Sequence, residues 1–227
     1  MLVKVYGAAV YGIDALAVTI EVVVENGISF CIVGLPDTAV KESHQRVQSA
    51  MKQSALDFPR RKVVVNMSPA DVKKEGAAYD LPIAIGILAA DEKLKNDELS
   101  KYMIMGELSL DGSVLPIKGV LPMAIKAREM GFKGMIVPSA NVTEAAVVNN
   151  LEVYGVDNLA QVVGFFNQTT ILHPTVVNTR EEFSKAVDLF DCDFSEVKGQ
   201  ENVKRALEVA CAGGHNILLV GPPGAGK

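Results

Sequence analysis

The chain has 227 residues, with 22 Lys and Arg against 27 Asp and Glu, a net charge of −5. Hydrophobic residues make up 49% and charged residues 22%, a globular balance that excludes wholesale disorder. The length fits one large domain or two ordinary ones, and the charge excludes a uniformly basic coat for nucleic acid. No apolar run nears the ~18 residues of a membrane helix, and residues 83–90 are the longest. The N-terminal stretch MLVKVYGAAVYGID lacks the basic start, apolar block and cleavage site of a signal peptide. Cys31, Cys192 and Cys211 are odd in number and far apart, so reduced thiols in a cytoplasmic protein are expected.

In chain order, Val18, Ile20, Val22 and Val24 alternate as in a strand, and residues 28–33 form a second β-branched run. Asn26-Gly27 between them predicts a hairpin, because both turn positions tolerate positive φ. Thr38 or Asp37 is placed to cap a helix to about residue 55, with Val40, Val47 and Met51 on its inner side. KVVVNM, residues 62–67, reads as a short buried strand. DLPIAIGILAA, residues 80–90, reads as a buried helix with Pro82 in its first turn and Asp80 as cap and dipole partner. Residues 102–110 predict a strand that turns at Asp111-Gly112 and returns over 113–117. A helix over 120–130 then stops at Gly131, and a strand over 133–137 ends at Pro138. This interleaving predicts one domain of mixed strands and helices.

Composition changes near residue 167. NQTTILHPTVVNTR reads as a linker, and residues 181–196 hold six acids against one lysine, the pattern of a solvated tether. An amphipathic helix is expected from Gly199 to residue 212, then an apolar strand, NILLV, over 216–220. Directly after it comes Gly221-Pro222-Pro223-Gly224-Ala225-Gly226-Lys227, the GxxxxGK pattern of a nucleotide-binding P-loop. The chemistry requires these types. Glycines let backbone N–H groups approach phosphate oxygens with no Cβ in the way, and the lysine meets the β/γ-phosphates as a point charge. The Ser or Thr that would hold Mg²⁺ belongs one residue further on. The 227 residues alone are therefore expected to be a piece that does not hydrolyse ATP.

Residues 194–227, FSEVKGQENVKRALEVACAGGHNILLVGPPGAGK, resemble the start of an AAA+ ATPase of the magnesium-chelatase branch. The resemblance sets Val197 to Gln200 near an adenine. YGAAVYGIDA, IVGLPDTAVKESHQRV, NMSPADVKKEGAAYDLPIAIGIL and GELSLDGSVLPIKGVLPMA extend it over the whole chain to the ComM/YifB family of Mg chelatase-like bacterial proteins. It implies an α+β, Lon-protease-like (RadA C-terminal-like) domain over residues 1–170. An acidic linker over 171–193 and the first part of an α/β P-loop AAA+ domain over 194–227 follow. It also implies a hexameric motor that binds ATP with Mg²⁺ and acts on single-stranded or branched DNA as a branch-migration helicase during recombination of incoming DNA. A magnesium-chelatase subunit and a non-DNA scaffold or unfoldase are the alternatives.

The same resemblance identifies a loss. The Lon nucleophile follows a K-D-G-P motif, matched by Lys74-Glu75-Gly76-Ala77, which sets Ala78 at the serine position. The Lon lysine follows V-L-P-I-G-G-L, matched by residues 114–120, which sets Leu121 at the lysine position. Alanine offers no nucleophile and leucine accepts no proton, so Ser–Lys proteolysis has no chemical basis here. Lys118 lies close by and is expected at the surface.

The three histidines, His44, His173 and His215, have no metal-ligand spacing and read as surface or capping residues. A basic cluster is the remaining candidate. Lys41, Arg46, Lys52, Arg60, Arg61 and Lys62 face only Glu42 and Asp57, and form a possible track for DNA phosphates, extended by Lys73 and Lys74.

Overall fold

A computed structural model describes residues 1–95, 97–177 and 193–224. The chain divides into two compact units, Met1–Asn178 and Thr179–Lys227, and each is taken by itself.

The first unit is built on a seven-stranded sheet of order β3-β4-β2-β1-β5-β8-β9. Its strands are β1 (Leu2–Tyr11), β2 (Asp14–Glu25), β3 (Phe30–Val33), β4 (Lys62–Ser68), β5 (Tyr102–Ile104), β8 (Gly134–Pro138) and β9 (Glu152–Val156). A two-stranded ribbon, β6 (Glu107–Leu108) with β7 (Val114–Leu115), stands apart. The helices are α1 (Thr38–Gln53), α2 (Asp80–Ala90), α3 (Val120–Glu129), α4 (Val142–Ala146) and α5 (Leu159–Phe166). Helices and strands interleave in a mixed sheet. The pairs β1–β2 and β2–β4 are antiparallel, while β3–β4, β1–β5, β5–β8 and β8–β9 are parallel. The expected α+β class therefore holds only coarsely, because most pairings are parallel and need helical crossovers.

Two expectations change in this unit. Asn26-Gly27 closes no hairpin: β3 pairs in parallel with β4, and β4 lies between it and β2. The hairpin is instead β1–β2, closed at Gly12-Ile13 with Gly12 at φ 62°. A two-residue turn needs such a conformation, and glycine supplies it without strain. The strand expected over 102–110 is two strands, because the chain leaves the sheet after Ile104 and Gly106 packs against Leu81 and Val114.

The core explains why these segments form. Every residue of α2 is buried, and all of them but Asp80 are apolar, so the helix is wrapped by the core on every side. Gly86 lets it approach the sheet, since a Cβ there would lie 2.6 Å from Val22 Cγ2 and 3.3 Å from Val5 Cγ2. On the opposite face, Tyr6 meets Phe132 and Val10 meets Gly119 at the start of α3. Helices thus cover both faces around β1 and β2. Beyond α5, Leu172 packs on this core and Thr175 donates its N–H to the Val153 carbonyl at 2.8 Å.

In the second unit, α6 (Glu201–Gly213) follows Gly199 and Gln200, both at positive φ, and ends at Gly214, also at positive φ. NILLV, expected as a strand, is irregular and exposed. No strand pairs with it among the described residues, and a strand persists only within a ladder. The acidic stretch expected as a tether lies largely outside the described residues.

Candidate functional site

Two places concentrate the sequence's unusual residues. The first is a cleft of about 860 Å³ in the first unit. One wall is the end of β1 (Ala8 to Tyr11), the second is the loop from Asp71 to Tyr79, and the third is Pro116, Ile117 and Lys118 before α3. Ala78 sits in a short 3₁₀ turn, Ala77–Tyr79, that opens on the cleft. Lys118 lines the opposite wall and is exposed. Leu121 lies in the first turn of α3, partly exposed, its N–H given to Glu144 Oε1 at 3.0 Å.

The loop carrying Ala78 is fastened by Asp37. One Asp37 oxygen accepts the Val40 N–H at 2.7 Å and so caps α1, as the sequence predicts. The other accepts the Gly76 N–H at 2.9 Å, across 39 residues of sequence. Backbone bonds reinforce this, from Asp37 N–H to the Lys74 carbonyl at 3.0 Å and from Lys74 N–H to the Leu35 carbonyl at 3.3 Å. GLPD and KKEG are therefore two halves of one clamp. Sequence reading treats them as separate motifs; only the long-range bonds reveal their pairing.

Lys74 does not extend a basic surface. Its side chain is fully buried and donates to the Pro69 carbonyl, and burial holds its pKa below the ordinary lysine value. Lys73 is paired with Glu75 at 2.5 Å.

Asp80 is likewise not a cap. Tyr79 precedes α2 with no side-chain capping bond, and the buried Asp80 carboxylate takes a two-pronged contact from Arg46 instead. Nε meets Oδ2 at 2.6 Å and one terminal nitrogen meets Oδ1 at 3.0 Å, while that nitrogen also bonds the Ala39 carbonyl at 2.7 Å. Burial pushes Asp80 up to about 6 despite the guanidinium beside it.

The basic cluster is correspondingly divided. Arg46 is committed to Asp80, Lys62 pairs with Glu25 at 2.7 Å across the β2–β4 ladder, and Arg61 lies 3.8 Å from Asp91. Lys41, Lys52 and Arg60 are exposed, with no ion pair among the described residues. Lys41 and Lys52 stand eleven residues apart on α1, three turns along one face. His44 is half-buried and stacks on Phe30 at a centroid distance of 4.2 Å. His215 continues the end of α6, its N–H bonded to the Ala210 carbonyl.

The second place is the glycine-rich end of the chain. Val197 is partly exposed before α6, and Gln200, at φ 59°, precedes its first turn. Gly221, Pro222, Pro223 and Gly224 follow, with Gly224 at φ 81° and open space where a Cβ would stand. Ala225, Gly226 and Lys227 lie outside the described residues.

The mixed sheet with its cleft, followed by a GxxxxGK sequence, defines a class: a mixed α/β domain preceding a glycine-rich segment. No helix among the described residues is long and apolar enough to cross a membrane. The family model for the ChlI subunit of Mg-chelatase matches residues 20–141, and a magnesium chelatase subunit ChlI model matches residues 193–227. The chain is 39% identical over 224 residues to YifB of Salmonella typhimurium, covering 98% of this chain and 43% of that protein. It is equally identical over 224 residues to the competence protein ComM of Haemophilus influenzae, covering 98% of this chain and 44% of that protein. An archaeal Lon protease of Methanocaldococcus jannaschii is 29% identical over 110 residues, 48% of this chain and 16% of that one. The chain belongs to the ComM/YifB group of the Mg-chelatase ChlI family. It spans less than half the length of the curated relatives it matches.

Proposed function

We propose that this chain is the front part of an ATP-driven AAA+ motor that acts on DNA, extending heteroduplex by branch migration when incoming strands recombine. The observation that carries this reading is the likeness, along nearly all of the chain, to a protein named for competence, joined to a GxxxxGK sequence. In the complete protein, assembled as a hexamer, Gly221 to Gly226 cradle the phosphates of ATP and Lys227 meets the β/γ-phosphates. Mg²⁺ is held by residues that follow. Val197 and Gln200 border the adenine. Lys41, Lys52 and Arg60 supply phosphate contacts, and the protein works in the cytoplasm.

The first unit is a Lon-like domain that has lost its protease dyad. The partial likeness to an archaeal Lon protease supports this, as does the position of Ala78 on the cleft. A carbon side chain at both dyad positions leaves no nucleophile and no base, so the domain binds rather than cuts. A serine-directed covalent probe that labels the folded domain would refute this part.

The family's magnesium-chelatase name favours one rival, a subunit that drives Mg²⁺ into a porphyrin-type ring. ATP hydrolysis by the complete protein separates the two. The motor reading expects turnover to rise with DNA and fall again with salt, and to vanish in Lys227→Ala. Turnover that ignores DNA and rises with protoporphyrin would establish the rival.

A further inference from the structure

The main sheet has two edge strands, β9 and β3, and they are finished differently. At β9 the chain covers its own edge. The Glu152 N–H is turned inward, to the Lys133 carbonyl at 3.2 Å, so Val153 turns its groups outward, and its carbonyl takes the Thr175 N–H at 2.8 Å. Charge is present there too, with Glu152 3.7 Å from Lys133. Covering and charging an edge are the two usual ways to keep other strands off it.

β3 has neither protection. Its bonds to β4 run through alternate residues. The Ser29 carbonyl accepts the Val63 N–H at 2.8 Å, so Ser29, Cys31 and Val33 turn their groups inward to the parallel ladder. Phe30 and Ile32 turn their N–H and C=O groups outward, and no described residue takes them. Apolar side chains are exposed along the same line: Ile28 is 92% exposed, and Val33 and Leu35 are exposed with it. No residue over 26–36 is charged. An unpaired, apolar, uncharged edge is a template for another strand.

The edge also specifies which strand fits. Set antiparallel to itself about Cys31, β3 is self-complementary. Phe30 falls opposite Ile32 of a second copy, and Ile32 opposite its Phe30. Both are hydrogen-bonded pairs, so four backbone bonds take up every outward group of the two strands. Cys31 then faces Cys31 and Ser29 faces Val33, all exposed side chains, and no charge opposes another. The pairing is a closed two-fold contact. It uses up the edge in both copies and builds pairs, where a head-to-tail contact would build filaments.

We propose that β3 is the contact surface for a second copy of this chain, the two strands pairing antiparallel about Cys31 so that two seven-stranded sheets become one. This is independent of the motor reading. It involves neither ATP nor DNA, and a two-fold contact does not by itself close a ring of six.

The test uses the 227-residue chain carrying Cys192→Ser and Cys211→Ser, which leaves Cys31 as its single thiol. Sedimentation equilibrium should show a monomer–dimer exchange in the micromolar range, as suits a contact of this size. Cys31→Lys sets like charges face to face at an exposed position and should weaken the dimer at least about ten-fold, whereas Cys31→Val should leave it unchanged. Ile32→Pro removes an outward N–H and none of the bonds to β4, and should weaken the dimer by a similar factor. The thiol reports the register. Cα atoms opposed in a non-hydrogen-bonded pair lie about 4.5 Å apart, within the range a disulfide spans. Diamide, which takes up the two electrons and two protons of a thiol pair, should therefore link Cys31 to Cys31, and more slowly in Ile32→Pro. Because Cys31 is exposed, Cys31→Lys decides the matter even where Ile32→Pro fails to fold. The proposal is overturned if the parent chain sediments only as a monomer, or if Cys31→Lys dimerises as tightly as the parent. It is equally overturned if diamide leaves the parent unlinked, or if it links a folded Ile32→Pro just as fast.

Discussion

Residues 62–68 and residues 216–220 have nearly the same chemistry, KVVVNMS beside NILLV, and opposite surroundings. The first lies between β2 and β3, laddered on both sides, with Val63, Val65 and Met67 fully buried. The second has no ladder partner among the described residues, and Leu218 and Val220 are 85% and 87% exposed. An apolar β-rich run is thus a capacity for pairing. Whether it becomes a strand is decided by what the rest of the fold sets beside it.

The sharpest way to break this comparison is to remove a ladder from the first region. Gly34, at φ 102°, follows β3 so closely beneath β4 that a Cβ would lie 2.0 Å from the Met67 carbonyl oxygen. Gly34→Ala combines that clash with a conformation alanine resists, and should cost more than about 3 kcal/mol, read by urea unfolding. A loss under about 1 kcal/mol would mean that the β3–β4 approach is loose.

Next in size is the buried pair that joins α1 to α2. Arg46→Ala strands the Asp80 carboxylate in the core and should cost about 3 kcal/mol, with part of the loss recovered by adding Asp80→Asn. The pH dependence has a definite sign. Asp80 is raised to about 6 in the folded protein, so the folded state holds its proton more tightly than the unfolded state. The corresponding stability is present below the ordinary aspartate value and is lost as pH rises through about 6. Wild type should therefore lose stability relative to Asp80→Asn across that window, in denaturation curves taken at matched pH.

Leu218→Ser sharpens the comparison from the other side. In the 227-residue chain it should change stability by less than about 0.5 kcal/mol, as expected for an exposed side chain. In the complete protein, where the P-loop reading has NILLV paired and buried, the same change should cost about 2 kcal/mol or more. Equal effects in both chains would remove the distinction.

The smallest effect on folding is expected from Lys41→Ala, Lys52→Ala and Arg60→Ala together, within about 0.5 kcal/mol. In the complete protein, the same triple variant should reduce the slope of log affinity for DNA against log salt by about three. An unchanged slope would release these residues from any phosphate contact.

What could be read from the sequence follows from the range of each interaction. The α2 helix and the Asp37 cap rest on local patterns, and the structure has both where the sequence puts them. The β6–β7 turn at Asp111-Gly112 was legible for the same reason. Asn26-Gly27 misled because turn chemistry says nothing about which strand lies alongside. Arg46 looked like one more member of a basic run, and Lys74 like another. Their partners, Asp80 and the Pro69 carbonyl, become visible only once the fold has brought the segments together. Within the cleft, Ala78 is singled out in the sequence by family resemblance alone, whereas the fastening of its loop by Asp37 emerges only from a bond across 39 residues.

The most direct measurement is branch migration itself. The complete protein is mixed with a labelled three-strand DNA junction, with and without ATP, beside Lys227→Ala. The account predicts ATP-dependent displacement of the labelled strand by the wild type and none by the variant. Intact junctions after robust ATP turnover would contradict it.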